Sequence, residues 1–345
     1  MSAIQHEKSP LVAPPPIFVV GPPRSGTTLM AKILGRHSRI FMPGETHFFD
    51  DIVSRRRELG ELRNLDSIEK VIARLRTLYA RYNERPDQKR IEGILEAPAA
   101  VESLRACRSY EEILSRFMEL QMRPAGKVRW GNNVPKDIFH IKEILSFYPD
   151  ARIVICVRDV RDFLLSYQNK WTVSSDDNME RLRSLYHPIL TSLLWRASVK
   201  QIARLEVLGP RENFLLVRYE KLVADPARVV QDICRFIGED FEAAMLNVDE
   251  QNSSFAVRQN GIYSSSVGRW RRALSNEEVY TAQRITKKYL GDLGYTPERL
   301  DIDPVKLGQI WATLPIALCR AVRANRAIRG PLVPYLARRI SALVR

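Results

Sequence analysis

The chain has little of what staples or anchors a protein. Its four cysteines, Cys107, Cys156, Cys234 and Cys319, are scattered, with no close pair and no metal-type spacing. That excludes a disulfide framework and predicts reduced thiols in a cytoplasmic protein. The five histidines form no ligand pattern, so no metal is predicted. Met1 to Pro16 is polar and then proline-rich, without the apolar run of a signal peptide or membrane anchor. Nucleic-acid motifs are missing too, although the net charge is +14. Such a charge suits an anionic small ligand or an anionic surface.

What is present is enough for a globular protein. The 345 residues, 45% of them hydrophobic, can bury a full core as one large domain or one domain with an appendage. Ile17-Phe18-Val19-Val20 reads as a buried strand. Gly21-Pro22-Pro23-Arg24-Ser25-Gly26-Thr27-Thr28 follows directly, and Leu29, Met30, Ile33 and Leu34 then repeat with helical period. Strand, glycine loop and helix N-terminus make an anion site, because backbone N–H groups and the helix dipole converge there. The glycine spacing is that of a nucleoside-triphosphate loop, but Thr27 stands where that loop has lysine. That lysine reaches the β/γ-phosphates, so its absence argues against ATP or GTP. The basic side chain comes earlier, at Arg24.

A second cluster begins with the strand Arg152 to Val157 and runs into Arg158-Asp159-Val160-Arg161-Asp162. A helix carrying Ser166 and ending near Trp171 follows. Arg158 falls at a strand's C-terminal end, where open α/β sheets bind ligands. Ser166 lies about two helical turns on, so a guanidinium and a hydroxyl could converge on a phosphate. A strand-end salt bridge is the plainer reading of Arg158 and Asp159. A third segment is Ser264-Ser265-Ser266-Val267-Gly268-Arg269-Trp270-Arg271.

These segments together resemble the sulfotransferase family, in the order and rough separation found there. Pro23 to Leu29 is similar to its 5′-phosphosulfate loop, nearest to the tyrosylprotein, heparan and bacterial branches. Arg-Asp-x-Arg-Asp-x-x-x-Ser at 158–166 is similar to its 3′-phosphate motif, and 264–271 partly resembles its late nucleotide-covering loop. The resemblance covers roughly residues 16–297. It implies a P-loop-type α/β fold, a central parallel sheet with helices on both faces. It also implies 3′-phosphoadenosine 5′-phosphosulfate (PAPS) as sulfuryl donor and a hydroxyl as acceptor. Arg24, Ser25, Gly26, Thr27 and Thr28 would then bind the phosphosulfate. Arg158 and Ser166 would bind the 3′-phosphate. Ser265, Ser266, Gly268, Arg269, Trp270 and Arg271 would close the site. The charge of that loop must come from Arg269 or Arg271, since Tyr263-Ser264-Ser265 replaces the Arg-Lys-Gly of the cytosolic branch. Tyr219, in Val217 to Leu222, would lie near the adenine; a core aromatic with a satisfied hydroxyl is an equal reading.

Moving a sulfuryl group to an alcohol needs a base and positive charge on the leaving phosphate, much as phosphoryl transfer does. Phe41 to Asp50 follows the first helix and an expected second strand, which places Glu45 beside the loop. By resemblance to the heparan and tyrosylprotein branches Glu45 is the general base and Arg24 stabilises the departing charge. Otherwise Glu45 would be an N-cap or the ion-pair partner of Arg24, and His47 is a rival base. One departure is Asn133, in Trp130-Gly131-Asn132-Asn133-Val134-Pro135-Lys136, where the family often has lysine. Lys136 is a candidate substitute in another register.

Residues 50–125 read as largely helical and rich in arginine. Further helices are expected over 138–148, 179–208, 226–237 with Asp225 as N-cap, and 277–290. The predicted organisation is a flexible segment 1–15, a catalytic domain 16–300 and a basic amphipathic tail 301–345. After Asp303 the tail has no acidic residue. Its pieces, broken by Pro315, Pro331 and Pro334, are too short to span a bilayer. It suits either an interfacial helix on anionic lipid or a helix docked with arginines outward. A lipid or carbohydrate acceptor fits the first. Two other classes stay open: a small-molecule kinase using the same loop, and a non-catalytic nucleotide- or membrane-binding protein.

Overall fold

The structure, a computed structural model, describes residues 14–82, 85–169, 185–248 and 261–329. Five strands form one parallel sheet in the order β2-β3-β1-β4-β5. They are β1 (Ile17–Val20), β2 (Ile40–Phe41), β3 (Arg129–Asn133), β4 (Arg152–Val157) and β5 (Phe214–Arg218). β1 is central. Val19 pairs with Asn133 of β3 on one side and Val154 of β4 on the other. Strand order reverses there, so the crevice for a ligand opens at the C-terminal ends of β1, β3 and β4.

All four β1 side chains are fully buried, and their alternation sorts the core into two layers. Phe18 and Val20 join Ile153 and Ile155 beneath helices α2 (Leu65–Tyr82), α3 (Arg85–Glu96), α4 (Pro98–Arg105), α5 (Tyr110–Met122) and α6 (Ile141–Phe147). Ile17 and Val19 join Val154 and Cys156 on the opposite face, under α1 (Thr27–Gly35) and α9 (Pro226–Ile237). A third cluster unites α7 (Val160–Gln168), α8 (Pro188–Ile202) and α10 (Asn276–Asp292) around Phe163, Trp195 and Trp270. α11 (Pro304–Ala312) and α12 (Leu314–Arg329) follow.

Most expected elements form, with shifted ends. The helix expected from 138 starts at Ile141, because Pro135–Phe139 takes a tighter 3₁₀ turn first. α7 closes at Gln168, and Trp171 lies outside the described residues. The long helix expected over 179–208 begins at Pro188, and α8 ends at Ile202 before the separate turn Leu205–Leu208. Proline at the helix start is favoured because its missing N–H would be unpaired there anyway. Residues 170–184, including Leu182, lie outside the described residues. Asp225 caps α9 by accepting from the Arg228 N–H, as expected. Ser275 and Glu278 form a capping box for α10.

Candidate active site

The loop after β1 is shaped by close approach. At Gly21 a Cβ would stand 2.1 Å from the Cys156 carbonyl oxygen, so only glycine lets β1 leave the sheet beside β4. The Gly21 N–H donates to the Pro135 carbonyl, which ties the loop to the end of β3. Arg24 and Gly26 both have left-handed backbones, φ 68° and 91°. For Arg24 that conformation costs about 1–3 kcal/mol. α1 then starts at Thr27 with no side-chain cap and no acidic residue in its first turn. Its N-terminus is therefore a positive end without a protein carboxylate of its own.

Arg24 is half-buried. Its Nε donates to Ser166 Oγ at 3.2 Å, which joins the loop to α7. Burial and the nearby charge of Arg158 lower its pKa below the usual arginine value. Two guanidinium groups thus share one enclosed spot, an arrangement that an anion would relieve. Arg158 donates from Nη2 to the Ser266 carbonyl at 2.7 Å, and its Cζ lies 4.5 Å from the Tyr219 ring centroid. Its Nε is buried without a hydrogen-bond partner among the described residues. The same holds for Ser25 Oγ in the loop and Asn133 Oδ1 at the end of β3. Buried polar atoms are normally paired, and these three lie at the C-terminal ends of β1, β3 and β4.

Tyr219 joins the motifs. A Cβ on Gly26 would be 2.6 Å from its Cδ2, so the ring packs directly on the phosphate loop. Its hydroxyl meets Ser266 Oγ at 2.8 Å. Asp162 holds the same late loop by accepting from the Gly268 N–H at 2.7 Å and the Trp270 N–H at 3.4 Å. Burial raises the Asp162 carboxyl, with Arg158 and those two N–H groups opposing.

Glu45 emerges on the other side of the crevice, after the two-residue strand β2. Its carboxylate is 35% exposed and pairs with His47 Nε2 at 3.0 Å. The charge of Glu45 also reaches Arg24. Lys136 lies 3.5 Å from Asp50 Oδ2.

The Sulfotransferase family profile matches residues 15–243. The chain belongs to the sulfotransferase family. An uncharacterized protein of Aquifex aeolicus is 27% identical over 74% of this chain, covering 30% of that protein. Human Sulfotransferase 2A1 is 26% identical over 35% of this chain and 44% of its own. The chain spans less than half the length of the first curated relatives it matches. A putative protein-tyrosine sulfotransferase of Caenorhabditis briggsae is 22% identical over 81% of this chain and 88% of its own. Among solved structures, the sulfotransferase domain of the curacin biosynthetic pathway superposes with a TM-score of 0.54. It is 19% identical and covers 83% of this chain and 99% of that domain. The fold of this family member is thus the P-loop-type fold expected.

Within the family framework the structure gathers Arg24, Ser25, Gly26, Thr27, Arg158, Ser166, Tyr219 and Ser266 around one crevice. Other members of the expected set stand differently. Trp270 is buried in the third core cluster, with the Arg161 guanidinium 4.2 Å from its ring centroid. Arg271 stacks on Trp270 and pairs with Glu298 at 2.5 Å, and Arg269 Nε donates to the Ser265 carbonyl. Sequence did not foresee the Arg24–Ser166 bond, the Glu45–His47 pair or the Asp162 anchor. Each joins residues through side-chain contacts that no local period encodes.

Proposed function

We propose that the chain transfers the sulfuryl group of PAPS to a hydroxyl acceptor. The observation that carries this is Arg24, half-buried, bonded to Ser166 and within reach of the charge of Arg158, just before the N-terminus of α1. A nucleotide with separate 5′ and 3′ anionic groups matches that pair of guanidiniums. Bound PAPS would supply an activated sulfuryl group joined to a phosphate leaving group. Arg24, the α1 N–H groups and the hydroxyls of Ser25, Thr27 and Thr28 hold the phosphosulfate and take up negative charge at the bridging oxygen. Arg158 and Ser166 hold the 3′-phosphate, and Tyr219 seats the adenine end. Ser265, Ser266 and Gly268 cover the nucleotide, and Arg269, Trp270 and Arg271 brace that cover. Glu45 takes the acceptor proton, with His47 orienting its carboxylate. Donors already fixed where charge develops are worth several kcal/mol each, so Arg24 compensates in part for Asn133.

The acceptor class is an alcohol. Relatives are named for 3-beta-hydroxysteroid and protein-tyrosine substrates, both hydroxyls, which supports that class. The test is transfer from radiolabelled PAPS across a panel of sugars, lipids, peptides and small alcohols, with Glu45→Gln beside the native protein. Transfer by the native chain and its loss in Glu45→Gln is the expected result.

We also propose contact with an anionic membrane surface through residues 304–329, on a domain ending near residue 300. That stretch holds Lys306, Arg320, Arg323, Arg326 and Arg329 and no acidic residue. Trp311, Ile316 and Leu318 are exposed by 53%, 54% and 46%. Among the described residues no helix is long and apolar enough to cross a membrane. A lipid or glycolipid acceptor, and work at the inner membrane face, follow from this proposal.

A further inference from the structure

A second polar chain runs behind Glu45, outside the nucleotide crevice. Thr46, Asn132 and Asp137 are each 0% exposed. Thr46 Oγ1 donates to Asn132 Oδ1 at 2.9 Å, and Asn132 Nδ2 donates to Asp137 Oδ2 at 3.0 Å. The Phe48 N–H donates back to Thr46 Oγ1 at 3.3 Å. The Thr46 hydroxyl is therefore held from both sides. The next residue, His47, has a left-handed backbone with φ 50°, and its carbonyl accepts from the Asp51 N–H at 2.9 Å. Phe48 and Phe49 are sunk in the core. Thr46 to Phe49 are thus buried, and the half-buried Glu45 carboxylate lies against His47.

A fully buried carboxyl is a costly way to fill space; an apolar side chain would pack there at less expense. We propose that Asp137, acting through Asn132 and Thr46, is the positioning residue for the Glu45 carboxylate. The role rests on the base function assigned to Glu45 above. The surroundings of Asp137 favour its neutral form. Burial drives its pKa well above the usual aspartate range, the charges of Asp50 and Glu45 add to this, and Lys136 and the Asn132 bond oppose it. A neutral end suits the site: a second buried anion behind Glu45 would repel the proton acceptor from its place.

The test needs no acceptor. The His47 ring signals in the NMR spectrum, assigned by their loss in His47→Gln, report the Glu45–His47 pair; Glu45→Gln calibrates the shift when that pair is broken. Thr46→Val should move these signals in the direction of Glu45→Gln, and Thr46→Ser should bring them back. Asp137→Leu should move them likewise, whereas Asp137→Asn, the uncharged mimic of the acid, should keep them in place. Binding of 3′,5′-adenosine bisphosphate should persist within about threefold in all of these. Should Thr46→Val fail to fold, Thr46→Ala serves. Unmoved His47 signals in the Thr46 variants would overturn the chain. Loss of the pair in Asp137→Asn would overturn the neutral acid. Full sulfuryl transfer by Glu45→Gln would instead remove the base role, leaving the NMR result intact.

Discussion

Arg24 Nε donates to Ser166 Oγ at 3.2 Å across 142 positions of chain. The bond makes one site from two motifs that sequence presents separately. Removing either partner should weaken 3′,5′-adenosine bisphosphate. Ser166→Ala loses a hydrogen bond to a charged group, worth about 1.5–3 kcal/mol or roughly 10–100-fold. Arg24→Ala should lose at least about 100-fold, since a guanidinium goes as well. Isothermal titration calorimetry reads both.

The glycines of the phosphate loop should be intolerant for steric reasons. Gly21→Ala drives a Cβ into the Cys156 carbonyl, and Gly26→Ala drives one into the Tyr219 ring at a backbone φ of 91°. We expect losses above about 3 kcal/mol for Gly21→Ala, and about 1–3 kcal/mol with impaired nucleotide binding for Gly26→Ala. Gly93→Ala is the control. It lies within α3 with nothing within 4 Å of the added Cβ, so it should stabilise by about 1 kcal/mol. Chemical denaturation separates the three.

Asp137 also predicts a pH dependence. Its folded pKa is raised, so between the ordinary aspartate range and that raised value the native state holds a proton the unfolded chain has released. Its contribution is full at acid pH and falls as pH rises, by up to about 1.4 kcal/mol per pH unit. Asp137→Asn removes this slope. The stability of Asp137→Asn relative to the native protein should therefore grow from pH 5 to pH 7, as read by denaturation midpoints. An unchanging difference would mean that Asp137 is ionised when folded.

The tail should bind membranes by charge. Each basic residue near an anionic surface contributes about 1 kcal/mol. Arg320→Glu with Arg323→Glu should abolish co-sedimentation with phosphatidylglycerol vesicles, and high salt should weaken binding by the native chain. Equal sedimentation of native and variant protein would leave α12 as a helix docked with its arginines outward.

Much of the sheet was legible because burial leaves a local trace. β1, and β4 after Arg152, are unbroken apolar runs, and the glycine loop follows β1 without a gap. β2 is only two residues long, too short for any period to show. The site was legible in residue type more than in contact. Arg24, Arg158 and Ser166 are brought close together, and the bond to Ser166 comes from Arg24. Tyr219 has a satisfied hydroxyl and a core position, and its ring also touches the phosphate loop. Lys136 carries the charge sought near Asn133 but faces Asp50, because the 3₁₀ turn after β3 points it there. Trp270 and Arg271 follow the glycine of the late motif, but the core and Glu298 claim them. Such outcomes depend on which elements fold together, and no window of sequence contains that.

The most direct test is a thermal-shift titration with 3′,5′-adenosine bisphosphate beside ATP, with and without magnesium. A ligand of the native state at 100 times its dissociation constant adds about 2.7 kcal/mol. The PAPS site predicts strong stabilisation by the bisphosphate without magnesium and little by ATP. Stabilisation by magnesium–ATP alone would contradict it and place the chain with phosphoryl-transfer enzymes.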